Sequence, residues 1–218
     1  LHRVDRRQRQ MCIRDRKYLV NGNLKVLRHK GKSHGVKETR GKYSKGKSIR
    51  KRDKSVYSRE EAGHWEADTV VSGQGKSKAC FATLAERKTQ FYIAMKMSDR
   101  RAETMENAIV AALSAFPPQL VKTITCDRGT EFANWRRIEE RLHCEVYFAD
   151  PYCAWQKGTN ENLNGLLREF YPKGRNLSRV APATLKRNLA LLNARPRKVL
   201  YFHSAQELWD FELNSCCT

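Results

Sequence analysis

Asp68, Asp127 and Glu161 stand where apolar packing would be expected in this 218-residue chain. Asp68 lies in the middle of HWEADTVV, Asp127 ends the apolar run VKTITCD, and Glu161 falls early in KGTNENLNGLLREFY. Taken singly, each has an ordinary structural reading. Asp68 suits the solvent side of a strand, and Asp127 suits a turn. Glu161 suits the first turn of a helix, where a carboxylate complements the dipole. Taken together they describe a site, because a mid-strand acid, a strand-end acid and an acid on a packing helix can converge at one edge of a sheet. Converging carboxylates repel until a cation joins them, and hard oxygen donors select Mg2+ or Mn2+. Two such ions, about 3.5–4 Å apart, stabilise the entering and leaving oxygens of an in-line phosphoryl displacement. The three acids are thus candidate catalytic residues and candidate metal ligands.

The elements that must hold them follow from periodicity. Alternation predicts strands over residues 64–71, 79–86 and 91–97, spaced as an antiparallel meander. A helix is expected over 101–116, closed by Pro117 and Pro118. A short buried strand (121–127), a helix (131–143), a fifth strand (144–149) and a helix (157–171) follow. In the last of these, Leu163, Leu166, Leu167 and Phe170 keep helical spacing. Two further helical pieces are expected over 183–193 and 204–211. Three strands leading into alternating helices and strands give an α/β fold, a mixed five-stranded sheet flanked by helices. That is the order of the ribonuclease-H-like fold. Within the first strand, period two puts Glu66 and Asp68 on one face and Trp65, Ala67 and Thr69 on the other.

Charge divides the chain differently. Its 43 Lys+Arg and 23 Asp+Glu leave a net charge of +20, which calls for an anionic partner, nucleic acid first. Residues 1–62 hold 21 basic and 6 acidic residues, a net of +15, leaving +5 for residues 63–218. Residues 1–62 therefore read as a flexible basic arm, a solvated tether or a phosphate neutraliser, and 63–218 as one catalytic domain. Residues 1–16 show no helical or strand period and resemble translated adapter sequence, so they are set aside from the fold. No run of about 18 apolar residues is present to span a membrane, and no apolar core of an export signal follows the N-terminal charges. A cytoplasmic, reducing setting is expected, and seven cysteines, an odd count, fit free thiols. No C-x2-C pair supports a zinc site.

The segments GHWEADTVV, TCDRGTEF and WQKGTNENLNGLLREFYPKG resemble the integrase-core DDE transposases of bacterial insertion sequences, among them the insertion-sequence-thirty family. Thirty-three residues separate Asp127 from Glu161, similar to that family's spacing, and NARPRKVL is similar to its closing segment. The resemblance implies that Asp68, Asp127 and Glu161 are the DDE triad. It implies metal-dependent cleavage at insertion-sequence ends, exposing a 3′-hydroxyl that attacks target DNA. The expected partners are terminal inverted repeats, target DNA and at least a second copy of the chain, in a bacterial cytoplasm at the nucleoid. Family members carry helix-turn-helix regions ahead of the core, where this chain has the basic stretch. An inert DNA-binding remnant and a ribonuclease-H-like nuclease without strand transfer are the alternatives.

Neighbouring residues carry secondary expectations. Glu66 is a second carboxylate behind Asp68, or an exposed strand residue. Gly129 allows positive φ or close backbone approach after Asp127. Trp155 is expected to pack, while Gln156 and Lys157 contact DNA. Asn160 and Asn164 orient Glu161 or touch DNA, and Arg168 meets phosphate. Lys173 and Arg175 form a basic loop suited to the DNA backbone, and Arg195, Arg197 and Lys198 form a second basic cluster.

Overall fold

Alternation in β2 (His64–Val71) sets up the centre of a six-stranded sheet with the order β1-β6-β5-β2-β3-β4. The computed structural model describes residues 46–151 and 153–216, all within one unit. β2, β3 (Cys80–Glu86) and β4 (Tyr92–Met97) form the expected antiparallel meander. β5 (Thr123–Cys126) runs parallel to β2, and β6 (Glu145–Phe148) runs parallel to β5. The helices are α1 (Ala102–Leu113), α2 (Trp135–Leu142), α3 (Gly158–Phe170), α4 (Pro182–Ala194) and α5 (Ala205–Ser215).

Two hydrophobic clusters form on the sheet. Trp65 and Ala67 join Ile109 and Leu113 of α1, Ile138 of α2 and Trp209 of α5. Val70 and Phe81 instead join Leu163 and Leu167 of α3 and Leu185 and Leu192 of α4. The α3 leucines, spaced as the sequence predicts, hold that helix against β2 and β3. Parallel pairing of β2 with β5 ends at Glu66 opposite Thr125. Asp68 and Asp127 each lie two residues beyond that pair, so the register carries both acids to the same end of adjacent strands.

Three expectations are corrected here. The sheet has six strands, because β1 (Lys47–Ser48) pairs in parallel with β6. The fold accordingly begins before Gly63: short 3-10 turns at Ile49–Lys51 and Lys54–Tyr57 bury Ile49 and Val56. Arg52 is buried with them and donates from Nη1 to Oγ1 of Thr125 at 2.8 Å. Those two apolar anchors sit among basic residues, which gave the whole segment the texture of a tether. The expectations for residues 1–45 lie outside the described residues. The helix expected over 131–143 is a 3-10 turn at Thr130–Phe132 followed by α2, because the Glu131 side chain is turned inward and bound there. Among the described residues, no helix is long and apolar enough to cross a membrane.

Candidate active site

Asp68 is met by a buried lysine, and Asp127 on the neighbouring strand lies near enough to act on the same charge. Lys157, the last residue of a 3-10 turn leading into α3, is only 9% exposed. Its Nζ lies 3.4 Å from Oδ1 of Asp68 and donates to the carbonyl of Ala67 at 3.2 Å. Burial pushes the ammonium towards neutrality, but attraction to Asp68 and Asp127 outweighs it and holds the Lys157 pKa above the ordinary lysine value. A second partner fixes Asp68: Asn164 donates from Nδ2 to its Oδ2 at 3.0 Å. Asn164 is oriented in turn by the buried Tyr92 hydroxyl, which donates to its Oδ1 at 2.6 Å. Burial pushes the Tyr92 phenol well up, so it stays a donor.

Glu66 is fully buried, so the exposed-strand reading does not hold. It forms an ion pair with the buried Arg87 and accepts from the backbone N of Asn160 at 2.9 Å. The Asn160 side chain donates to the Glu66 carbonyl at 2.7 Å and accepts from the Thr83 hydroxyl at 3.2 Å. One carboxylate, one guanidinium and one amide thus clamp the first turn of α3 to β2 and β3. Both charges are compensated within the clamp, as burial demands.

Asp127 is held by the turn that follows it, where Gly129 N donates to its Oδ1 at 2.8 Å. Gly129 has φ −67°, so it is not needed for a left-handed conformation. Close approach is the reason for it. A Cβ there would stand 2.4 Å from Oε2 of Glu131 and 2.9 Å from Oδ1 of Asp127. Glu131 is buried, accepts from Thr69 Oγ1 at 3.2 Å and pairs with Arg100 Nη2 at 2.9 Å. The site therefore has a further carboxylate, neutralised by its own arginine. The Glu131 contact, followed by the nearby Asp127, raises the Arg100 pKa.

Glu161 sits four residues after Lys157 and three before Asn164, on the stretch of α3 whose neighbours reach β2. It is exposed and makes no hydrogen bond or ion pair among the described residues. Also among the described residues, no three His, Cys, Asp or Glu side chains form a closed ligand cluster. The donor set nonetheless fits a hard divalent ion. Two aspartates lie at adjacent strand ends, one of them already paired with a cation, Lys157, and a third, uncommitted carboxylate lies one helical turn after that lysine.

Several expected contact residues are placed otherwise. Asn160 is wholly buried in the Glu66 clamp and cannot touch DNA. Arg197 is buried too: Nη1 donates to the Gln90 carbonyl at 2.8 Å and Nη2 to the Leu192 carbonyl at 2.9 Å. It ties a loop to the meander, because a guanidinium with several carbonyl acceptors is tolerated inside. Lys157 is committed to Asp68 and the Ala67 carbonyl rather than to the surface. Gln156 accepts from Asp150 N at 2.7 Å, and Arg168 donates to the carbonyls of Val71 and Tyr171 at 3.2 and 3.4 Å. Lys173, Arg175, Arg195 and Lys198 are exposed, Arg195 lying 3.7 Å from Glu169. Trp155, expected to pack, is 73% exposed. The thiols of Cys80, Cys126 and Cys144 are all pushed up by burial, Cys80 to about 11 and Cys144 to about 12, which leaves no activated cysteine among them.

Sequence periodicity missed Arg87, Arg100, Tyr92 and Glu131. Glu131 carried one signal, its place in the motif TCDRGTEF beside Gly129. The other three act across 21 to 72 residues of sequence and leave no local trace.

Comparison with known proteins bears on this arrangement. The integrase core domain family model matches residues 58–154. The chain is 36% identical over 165 residues to a probable transposase for insertion-like sequence element IS1161 of Streptococcus salivarius, covering 76% of this chain and 46% of that protein. It is 33% identical over 205 residues to transposase InsI for IS30A of Escherichia coli (strain K12), covering 91% and 53%. It is 35% identical over 195 residues to the transposase for IS4351 of Bacteroides fragilis, covering 87% and 59%. The chain spans about half the length of the curated relatives it matches. Among solved structures, the catalytic core domain of BIV integrase superposes with a TM-score of 0.54 at 16% identity, over 72% of this chain and 99% of that one. The HTLV-2 integrase catalytic core domain, solved in complex with magnesium, gives 0.51 at 14%, over 67% and 95%. These likenesses establish the ribonuclease-H-like fold. With the sequence matches, they assign the chain to the integrase-core family of insertion-sequence transposases.

Proposed function

We propose that this chain is the catalytic part of a DNA transposase that cleaves phosphodiester bonds at insertion-sequence ends and joins the freed strand to target DNA. The observation that carries this reading is the parallel register delivering Asp68 and Asp127 to one sheet end, beside the helix that bears Glu161. Asp68, Asp127 and Glu161 would hold Mg2+ or Mn2+, two ions in all. When bound, the metal supplies charge to activate water or a 3′-hydroxyl and to stabilise the leaving oxygen. The protein's own task is positional. Asn164 and Tyr92 fix the rotamer of Asp68, Gly129 fixes Asp127, and the Glu66–Arg87–Asn160 clamp fixes the helix start from which Glu161 projects. The exposed Lys173, Arg175, Arg195 and Lys198 are suited to the DNA backbone, which positions the duplex without reading sequence. Terminal inverted repeats and target DNA are the substrates. Pairing two ends calls for a dimer or larger assembly, working in the cytoplasm at the nucleoid.

The test is an oligonucleotide duplex carrying an element end, incubated with the chain and Mg2+ and followed for nicking and joining. Cutting and joining that both vanish in Asp127→Asn, with DNA binding retained, is the expected result. No cutting with any divalent metal would point to an inert DNA-binding remnant. Cutting without joining would point to a nuclease.

A further inference from the structure

We infer that Lys157 is a built-in counter-cation of Asp68, at the strand end next to that of Asp127, and must withdraw from Asp68 for a divalent ion to bind. This rests on the reading of these acids as metal ligands and goes beyond it by naming what the metal displaces. The geometry is specific. The ammonium is buried, 3.4 Å from Oδ1 of Asp68, and also donates to the Ala67 carbonyl on the same strand. Other nearby cations have partners of their own, Arg87 with Glu66, Arg100 with Glu131 and Arg128 with Asp150. Two aspartates at adjacent strand ends repel each other, and a lysine buried alone would be driven to lose its charge. Each therefore stabilises the other in the metal-free protein. A divalent ion and an ammonium cannot both sit close to the same carboxylate oxygens without strong mutual repulsion.

The consequence is a trade between metal-free stability and metal affinity. Lys157 keeps the acids folded together without metal and weakens metal binding by the same repulsion. Because Lys157 stands at the start of α3, four residues before Glu161, its withdrawal would free a positive charge beside the reacting phosphate. The proton stays on the amine throughout.

Mn2+ titration by calorimetry, paired with melting curves of the full chain with and without Mn2+, tests this without relying on activity. Lys157→Met is expected to bind Mn2+ more tightly, on the order of tenfold or more. It should also melt lower than wild type without metal, with the gap narrowing at saturating Mn2+. Lys157→Arg keeps the charge and is expected to titrate like wild type. Unchanged or weaker Mn2+ binding in Lys157→Met, or equal tightening in Lys157→Arg, would overturn the inference. If Lys157→Met does not fold, Lys157→Gln, which retains a polar head without charge, carries the same expectation. Asp127→Asn separates the two levels. If Mn2+ binding depends on Asp127 but not on Lys157, only the counter-cation role fails. If it depends on neither, the metal reading and this inference fail together.

Discussion

β2 presents two surfaces of opposite character to the rest of the molecule. One carries Trp65 and Ala67 into an apolar cluster, where the Trp65 ring meets Trp209 edge-on at 5.3 Å and stacks on Phe116 at 6.0 Å. The other carries His64, Glu66 and Asp68, each satisfied by a named polar partner, before Val70 returns that face to apolar packing. The first face is built for stability, and the second is the one to which the proposed function assigns the chemistry. The first face gains free energy by removing aromatic area from water. The second holds charges that would be costly unpaired, and on the proposed function it is the face whose oxygen donors would serve a cation.

Substitutions on the two faces should separate these roles. The largest effect is expected from Trp65→Ala, which removes a fully buried indole and its hydrogen bond to the Leu120 carbonyl. Stability should fall by about 3–5 kcal/mol in denaturant titration, with no direct change to the acids. On the other face, Arg87→Met leaves Glu66 buried without its guanidinium, a loss of about 3 kcal/mol or more. There the loss should be accompanied by weaker nicking, since Glu66 also anchors Asn160 at the start of α3. A mutant of the apolar face that lost activity while still folded, or an Arg87→Met chain with full activity, would break the division.

A smaller effect is expected from His64. Burial lowers its pKa below the ordinary 6.5, although Glu61 pulls the other way, so the folded protein favours the neutral ring. The unfolded chain then takes up the proton first as pH falls through 6.5. The stability contribution is present above that value and is lost below it. Melting temperature should decline as pH falls through this range, and His64→Gln should flatten the slope.

The acids and their strands were legible in the sequence because each marks a break in a local pattern. Asp68 interrupts an alternating strand, Asp127 ends an apolar run, and the α3 leucines announce which side of that helix packs. Partners were not legible, because pairing is long-range. Nothing near Glu66 in sequence points to Arg87, and nothing near Asp68 points to Tyr92 through Asn164. Composition misled where it stood in for burial. Ile49 and Val56 were submerged in basic residues, and Arg197 shared a cluster with Arg195 and Lys198 yet faces inward. Trp155 shows the same limit from the other side, an aromatic residue that the fold leaves in solvent.

The central claim is that the acids of one sheet face, and not the stability of that face, carry the chemistry. Glu161 allows the cleanest measurement, because it is exposed and makes no hydrogen bond or ion pair among the described residues. Nicking of an element-end duplex and thermal melting should be measured side by side for wild type and Glu161→Gln. The account predicts an unchanged melting temperature in the absence of metal and the loss of nicking. Nicking at the wild-type rate by a folded Glu161→Gln chain would contradict it.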